Sequence, residues 1–349
     1  MQAGIAGRVQ LVWVKGRQIS DKKWQKSLTK SSNFGHFHSG VMVEKLIEFE
    51  VIIVGGGPAG LSALLWCLDM ELKVILLEKE PELGGQLLQT YSQIKNYLGA
   101  SAANGRDLRD SFLRQIEARE SYSRNAAEVV KADLVQRVVS LAGNSKFGCK
   151  YLILATGVRR RRLGVPGEDR FRGRGILESG VQSKNDVAGK RVLIIGGGDA
   201  ALENSLILGE KAASVVIAHR RDKFTARSEF VDRATRHVRI TPLFNTIVTA
   251  IDGHQSVESA ELRHSGTGEL SRLPVDAVLI RIGVEPNTET FGGQIETDNL
   301  GYIRVDSSCK TSIPNVFAVG DVAKPFAPTI SGAVGDAATA VKRIYSLLR

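Results

Sequence analysis

The sequence predicts an α/β fold with two three-layer domains, each built on a doubly wound parallel sheet. Three observations carry this expectation. From Phe49 onward, short β-branched runs alternate with stretches of helical pattern, the signature of parallel strands joined by crossover helices. A strand-and-glycine segment recurs at an offset of 141 residues. Glycine, at 36 of 349 residues, exceeds the roughly 7% average for globular chains.

The first element rests on Val51–Leu68, the longest uncharged run of the chain. Its length alone would suit a membrane span. Its interior, Gly55-Gly56-Gly57-Pro58-Ala59-Gly60, breaks a helix after four residues, so a buried strand, a tight turn and a helix explain it better. A second strand follows at Val74-Ile75-Leu76-Leu77-Glu78. The copy repeats both parts: Val192-Leu193-Ile194-Ile195-Gly196-Gly197-Gly198-Asp199-Ala200-Ala201, then Val215-Val216-Ile217-Ala218-His219. One such glycine fingerprint is a weak signal, whereas two with equal spacing to the following strand are a strong one.

Ahead of this pattern, residues 1–45 show no sustained period of 2 or 3.6. Three readings stay open: a flexible extension with the true start at Met42, a basic transit-type leader, or a partner-binding arm. The net charge of +10 resides mostly here, since residues 1–43 hold seven Lys/Arg against Asp21 alone. A chain-wide basic surface for nucleic acid is therefore not expected. Cys67, Cys149 and Cys309 lie more than 80 residues apart. That spacing excludes a disulfide framework, a CxxC pair and a cysteine-rich zinc site, and no metal site is predicted. With no further apolar run of comparable length and no secretory signal, the expected setting is reducing and cytoplasmic, without a membrane span.

In each copy the first glycine permits the turn, the second lets the backbone approach a pyrophosphate, and the third small residue lets helix and strand pack closely. The N–H groups and the dipole at the helix start then favour a bound anion. Two turns imply two nucleotide sites. Glu78, ending the second strand of the first copy, can accept from both ribose hydroxyls and repels a 2′-phosphate, which suits FAD or NAD. The second copy has His219-Arg220-Arg221 there, with Arg227 six residues beyond Arg221. Guanidinium groups suit a 2′-phosphate, so this site is expected to prefer NADPH.

Residues 46–349 resemble the two-dinucleotide-binding flavoproteins, most closely the low-molecular-weight thioredoxin reductases and the thioredoxin-reductase-like ferredoxin–NADP⁺ reductases. The motifs stand in the family's order: the glycine turn at 55–60, Glu78, Gly84-Gly85-Gln86-Leu87, Ile94-Lys95-Asn96-Tyr97, Ala155-Thr156-Gly157, the second glycine turn with His219–Phe224, Pro286-Asn287-Thr288, and Val316–Asp321. The resemblance implies a Rossmann-like FAD domain from residues 46–157 and 284–349, with an inserted NADP domain at 158–283. It places FAD on Gly55, Gly57, Pro58, Ala59, Gly60, Glu78, Lys79, Gly85, Gln86, Leu87, Asn96, Val129, Ala155, Thr156, Gly157, Gly320, Asp321, Pro328 and Thr329. It places NADPH on Gly196, Gly198, Asp199, Ala200, His219, Arg220, Arg221, Arg227 and Gly283. It also implies a homodimer.

Three departures qualify that resemblance. Counted back from Gly189-Lys190, the family's CxxC falls on Ser179 and Gln182, which form neither thiolate nor disulfide. Ala327-Pro328 stands where the thioredoxin reductases carry Arg-Gln, and Thr225 where the NADPH motif usually has Arg, with Arg227 as a shifted substitute. The predicted activity is NADPH-dependent reduction of FAD without a catalytic side chain, the electrons passing to an acidic carrier such as ferredoxin or flavodoxin. A run of seven arginines between Arg159 and Arg174, opposed by Glu168 and Asp169, reads either as a solvated face or as the docking surface for that carrier. Two alternatives stay open: a diflavin-linked oxidoreductase with a second FAD in the nucleotide site, and a flavin-binding sensor without turnover.

Overall fold

Two sheets, the first mixed and the second all parallel, organise the chain and share the same local order of parallel strands at their centres. The computed structural model describes residues 46–117, 126–326 and 328–349, with the backbone alone of Trp13–Val14, Arg17–Gln18 and Ser123–Arg124. The readings of residues 1–45 and of Ala327 lie outside the described residues, apart from a two-residue antiparallel ribbon at Trp13–Val14 and Arg17–Gln18, too short to leave a sequence period. The main elements are β1 (Ile47–Val54), α1 (Pro58–Asp69), β2 (Val74–Leu77), β3 (Val129–Asp133), β4 (Val138–Leu141), β5 (Lys146–Leu154), β6 (Ile176–Leu177), β7 (Arg191–Ile195), α2 (Asp199–Gly209), β8 (Ser214–Ala218), β9 (Ile240–Leu243), β10 (Ala277–Ile280), β11 (Val316–Ala318) and α3 (Ile330–Leu348). The chain divides into two compact units, Met1–Val158 with Pro286–Arg349, and Arg159–Glu285.

In the first unit β1 lies between β2 and β5, parallel to both. The end of β5 carries β11 in parallel, while its start pairs antiparallel with β4, which continues to β3. β1 reads as an unbroken apolar run at its end because both faces are covered. Val51 and Ile53 pack with Leu61 and Leu64 of α1 and Val341 and Ile344 of α3. Ile52 and Val54 pack on the other face with Phe147, Leu152 and Phe291.

The second unit repeats the arrangement. β7 lies between β8 and β10, all parallel, and β9 and β6 extend the two edges. Val192 and Ile194 pack with Leu202 and Leu208 of α2. Leu193 and Ile195 pack with Val248 and Leu262 of an antiparallel layer formed by Thr246–Asp252, Ser259–His264 and Leu270–Pro274. In the second unit the parallel sheet therefore lies between helices and the antiparallel layer.

The chain leaves and re-enters the first unit through one reciprocal contact. The Asn287 side-chain amide donates to the Thr156 carbonyl at 2.8 Å, and the Thr156 hydroxyl donates to the Asn287 carbonyl at 2.8 Å. The Asn287 backbone N–H donates to the Gly157 carbonyl at 3.0 Å. Gly157 at φ +63° supplies the left-handed residue that lets the outgoing strand turn away. Replacing Asn287 by alanine leaves the Thr156 carbonyl short of a donor. Asn287→Ala is expected to lose about 1–3 kcal/mol of stability, read as a lower thermal-unfolding midpoint, whereas the surface change Asn299→Ala leaves the midpoint unchanged.

Candidate functional site

The first turn joins β1 to α1. Gly55 stands at φ +109°, and a Cβ there would lie 2.3 Å from the Ala155 carbonyl oxygen, so a side chain would part β1 from the end of β5. A Cβ at Gly60 would lie 1.8 Å from the Gly55 carbonyl, which is why α1 packs directly on its own turn. Pro58 opens α1 without needing an N–H partner, and Gly57 offers no side chain to cap the helix, so its first N–H groups face outward. Gly57 has open space up to the Cα of Gly85, 3.9 Å from its Cβ position. Gly85, at φ +51°, comes from a second loop pinned there by Gly84, whose N–H donates to the Gly56 carbonyl at 2.8 Å. Two glycine backbones thus face each other across the helix start.

Glu78 is buried just past the end of β2. Its carboxylate accepts from the Gly56 N–H at 2.6 Å and the Glu80 N–H at 2.8 Å. Each oxygen retains lone-pair capacity beyond these bonds. A third segment reaches the same helix start. A Cβ on Gly320, at φ +72°, would lie 2.8 Å from that of Ala59, which sets Asp321 beside the turn. Burial and the nearby Asp336 charge hold the Asp321 carboxyl above its ordinary range. Asp336 went unread in the sequence because nothing local links the last helix to this turn.

The remaining first-unit candidates are spread more widely. The Gln86 amide donates to the Val158 carbonyl at 2.5 Å, and Leu87 is buried beneath it. The Ala155 N–H donates to the Val54 carbonyl at 2.8 Å. Lys79 is exposed near Glu80 at 3.9 Å, Asn96 is exposed, and Val129 is half-buried on β3. Pro328 precedes α3, and the Thr329 hydroxyl caps that helix by accepting from the Gly332 N–H at 3.0 Å.

The second turn reproduces the first. Gly196 stands at φ +145°, and its Cβ would lie 2.1 Å from the Arg281 carbonyl oxygen. Gly198 immediately precedes α2 as its N-cap, again without a side-chain cap. At the position of Glu78 stands His219, whose ring lies against Gly197; a Cβ there would meet Nδ1 at 2.2 Å. Phe224 lies at 5.7 Å between ring centroids. The His219 Nε2 is buried with no hydrogen-bond partner, and burial holds the imidazole below its ordinary range, with Arg221 and Arg220 pressing in the same direction. Arg220 and Arg221 are exposed. Thr225 folds back on the turn, its N–H donating to the Gly197 carbonyl at 2.8 Å. Arg227 is held by Asp199, whose carboxylate accepts from the Arg227 N–H at 2.8 Å and Nε at 2.7 Å. This pairing places both at the start of α2, and Gly283 lies on the return path at φ +97°.

The family model for pyridine nucleotide-disulphide oxidoreductases matches residues 49–343. The chain belongs to the pyridine nucleotide-disulphide oxidoreductase family. It is 34% identical over 292 residues to a thioredoxin reductase of Listeria monocytogenes, covering 82% of this chain and 90% of that protein. A thioredoxin reductase of Treponema pallidum is 34% identical over 306 residues, covering 86% and 97%. Among solved structures, thioredoxin reductase of Lactococcus lactis superposes with a TM-score of 0.76 at 31% identity, covering 86% of this chain and 99% of that one. The T. acidophilum enzyme gives 0.74 at 30%, covering 86% and 99%. The protein is a thioredoxin reductase-like NAD(P)H flavoprotein oxidoreductase.

The thioredoxin reductases that this chain resembles bind FAD and use NADPH. Both turns of this chain fit a dinucleotide: each presents an uncapped helix start behind a glycine whose side-chain space a Cβ would obstruct. The second adds a buried, unpartnered imidazole nitrogen beside two exposed guanidinium groups. No helix among the described residues is long and apolar enough to cross a membrane.

In this oxidoreductase the cysteines are all free. Burial pushes the Cys67 thiol far up, Cys149 up to about 12 and Cys309 up to about 11. Raised values keep the thiols protonated, and thiolate forms only as the pH climbs toward them. The Ser179 hydroxyl instead accepts from the Gln182 N–H at 3.5 Å, capping a four-residue helical turn, Gly180–Ser183.

The arginine run is largely consumed by local structure. Buried Glu168 accepts from Arg172 at 3.3 Å and from the Gly164 N–H at 2.7 Å, and Asp169 pairs with Arg162. Arg159 pairs with Glu285 at 2.8 Å, Arg170 donates to the His254 carbonyl, and Arg174 donates to the Arg170 carbonyl. Sequence reasoning saw the charges and missed Glu168 as their organising centre. It also missed Arg281, visible only as an arginine closing an apolar strand.

Two outcomes follow from this site. At pH 8 the native protein is expected to react with fewer than one equivalent of an aromatic disulfide reagent over minutes, and with three in denaturant. Converting Arg220 and Arg221 to alanine is expected to raise KM for NADPH by about tenfold or more, since charge-assisted hydrogen bonds contribute about 1.5–3 kcal/mol each. KM for NADH should move less than twofold, as steady-state kinetics with both nucleotides will show.

Proposed function

We propose that the chain is an NADPH-dependent FAD reductase that delivers electrons to a one-electron protein carrier of the ferredoxin or flavodoxin kind. The observation that carries this reading is chemical. Relatives named thioredoxin reductase act on a disulfide protein, yet this chain has three cysteines, each far apart and each held as a protonated thiol. Ser179 and Gln182 occupy the proposed dithiol positions, and neither side chain relays electrons. A relative in Clostridium pasteurianum, 29% identical over 304 residues, is described as a 34.2 kDa protein in a rubredoxin operon, which supports a link to one-electron carriers.

The chain's own residues bind and orient. The first N–H groups of α1, with Gly57 opposite Gly85, hold the pyrophosphate of FAD. Glu78, aimed by the Gly56 and Glu80 N–H groups, takes the ribose hydroxyls, and Asp321 takes the ribityl chain. Gln86, Asn96, Val129, Ala155–Gly157, Pro328 and Thr329 complete that site. The start of α2 holds the pyrophosphate of NADPH, with Arg220 and Arg221 on its 2′-phosphate. FAD, when bound, supplies the exchange between two-electron and one-electron chemistry that side chains cannot. The discontinuous FAD domain would comprise 46–157 and 284–349, and the NADP domain 158–283, the Thr156–Asn287 contact fixing both linkers at one point. We read the active form as a homodimer in a reducing, cytoplasmic setting.

The test is anaerobic turnover with NADPH. Ferredoxin-dependent reduction of cytochrome c is expected to proceed at several per second or more, in the ordinary enzymatic range, with thioredoxin plus an aromatic disulfide at background. Robust thioredoxin turnover would overturn the proposal. Flavin that fails to bleach on NADPH addition would point to the sensor reading, and two FAD per chain to the diflavin reading.

A further inference from the structure

We infer that the guanidinium groups of Arg281 and Arg160 make the nucleotide site of the second unit select against the oxidised, positively charged nicotinamide ring. This rests on the reading that NADPH occupies the turn at 196–199.

In the sheet β6-β10-β7-β8-β9 the chain runs from β7 outward to β8 and β9, then returns to β10 on the opposite side of β7. The carboxyl ends of β7 and β10 therefore flank the point where the order reverses, which is where ligands of such sheets bind. Gly196 follows β7 and Arg281 follows β10, with the Arg281 carbonyl 2.1 Å from the Cβ position of Gly196. His219, Arg220 and Arg221 follow β8 on the other side. A dinucleotide with its phosphorylated ribose at β8 and its pyrophosphate at α2 must send its remaining half over β10 and β6.

Two cations wait there. The Arg281 guanidinium donates to the Ile280 carbonyl at 2.7 Å and to the Glu178 carbonyl at 2.9 Å. Arg160 donates to the same Glu178 carbonyl. Neither guanidinium has a carboxylate within ion-pair distance among the described residues. The Glu178 carboxylate is near enough to oppose the charge on Arg281, but Arg160 acts on it more strongly in the other direction. Burial and Arg160 bring Arg281 down to about 10, so it remains cationic at neutral pH.

Reduced nicotinamide is neutral, and loss of hydride leaves a pyridinium cation. Like charges at close range in a partly buried site repel. The arginines therefore leave the donor's affinity intact and weaken that of the product, which clears the site after each transfer.

The test uses holoenzyme and three redox-inert or oxidised probes in calorimetric titrations: NADP⁺, 1,4,5,6-tetrahydro-NADP with its neutral ring, and 2′,5′-ADP, which lacks the nicotinamide half. Arg281→Gln keeps a donor and removes the charge; Arg281→Lys keeps the charge. In the Gln variant NADP⁺ is expected to tighten about tenfold relative to the tetrahydro analogue, a 1.4 kcal/mol change, while 2′,5′-ADP is unchanged. The Lys variant and wild type should share one ratio. Arg160→Gln should shift the ratio the same way. A ratio within twofold of wild type in both Gln variants overturns the inference, as does an equal loss of all three ligands. Wild type that binds no 2′,5′-ADP overturns instead the nucleotide reading beneath it.

Discussion

A single backbone contact, made twice, sets the architecture. At the end of β1 in one unit and β7 in the other, a glycine in the left-handed region sits against the carbonyl that follows the neighbouring parallel strand. Its Cβ would lie 2.3 Å from Ala155 in one unit and 2.1 Å from Arg281 in the other. No larger residue fits without separating the strands. The contact lets the chain turn directly from strand into helix, so that α1 and α2 start at the sheet's carboxyl edge with their N–H groups outward. The anion-binding capacity of each unit follows from that placement rather than from any charged side chain.

Upon this shared frame the two units diverge at one position. After β2 the first unit has Glu78, and after β8 the second has His219. Both are buried and both brace the glycine turn, by different means. Glu78 accepts the Gly56 N–H, so its carboxylate is oriented by the loop it supports. His219 presses its ring on Gly197 and leaves Nε2 unpartnered. A carboxylate excludes a further negative group, whereas a neutral imidazole beside Arg220 and Arg221 admits one. The two turns thus differ in local charge at one packing residue.

The three thiols lack what a relay needs. A thiol relay needs a thiolate and an open partner, and all three cysteines are held protonated by desolvation. The Thr156–Asn287 exchange meanwhile ties the outgoing and returning segments together on the first unit. The arginine run, dense in sequence, stays mostly exposed, but Arg162 and Arg172 are paired by Glu168 and Asp169.

The sequence alone determined the parallel strand cores of the two sheets, the two glycine turns and the acidic or basic residues that follow each. These properties are local: a strand ending in glycine, a helix start without a cap, and one residue at a set distance along the chain. It also made the absence of a paired dithiol plain, since cysteine spacing needs no coordinates. Only the tertiary structure decided which charges remain available. Arg227 is taken by Asp199, Arg162 and Arg172 by Glu168 and Asp169, while Arg160 and Arg281, 121 positions apart, meet on one carbonyl. Asp336 reaches the first turn from the last helix in the same way. Charge pairing depends on distances across the fold, and no periodicity along the chain encodes them.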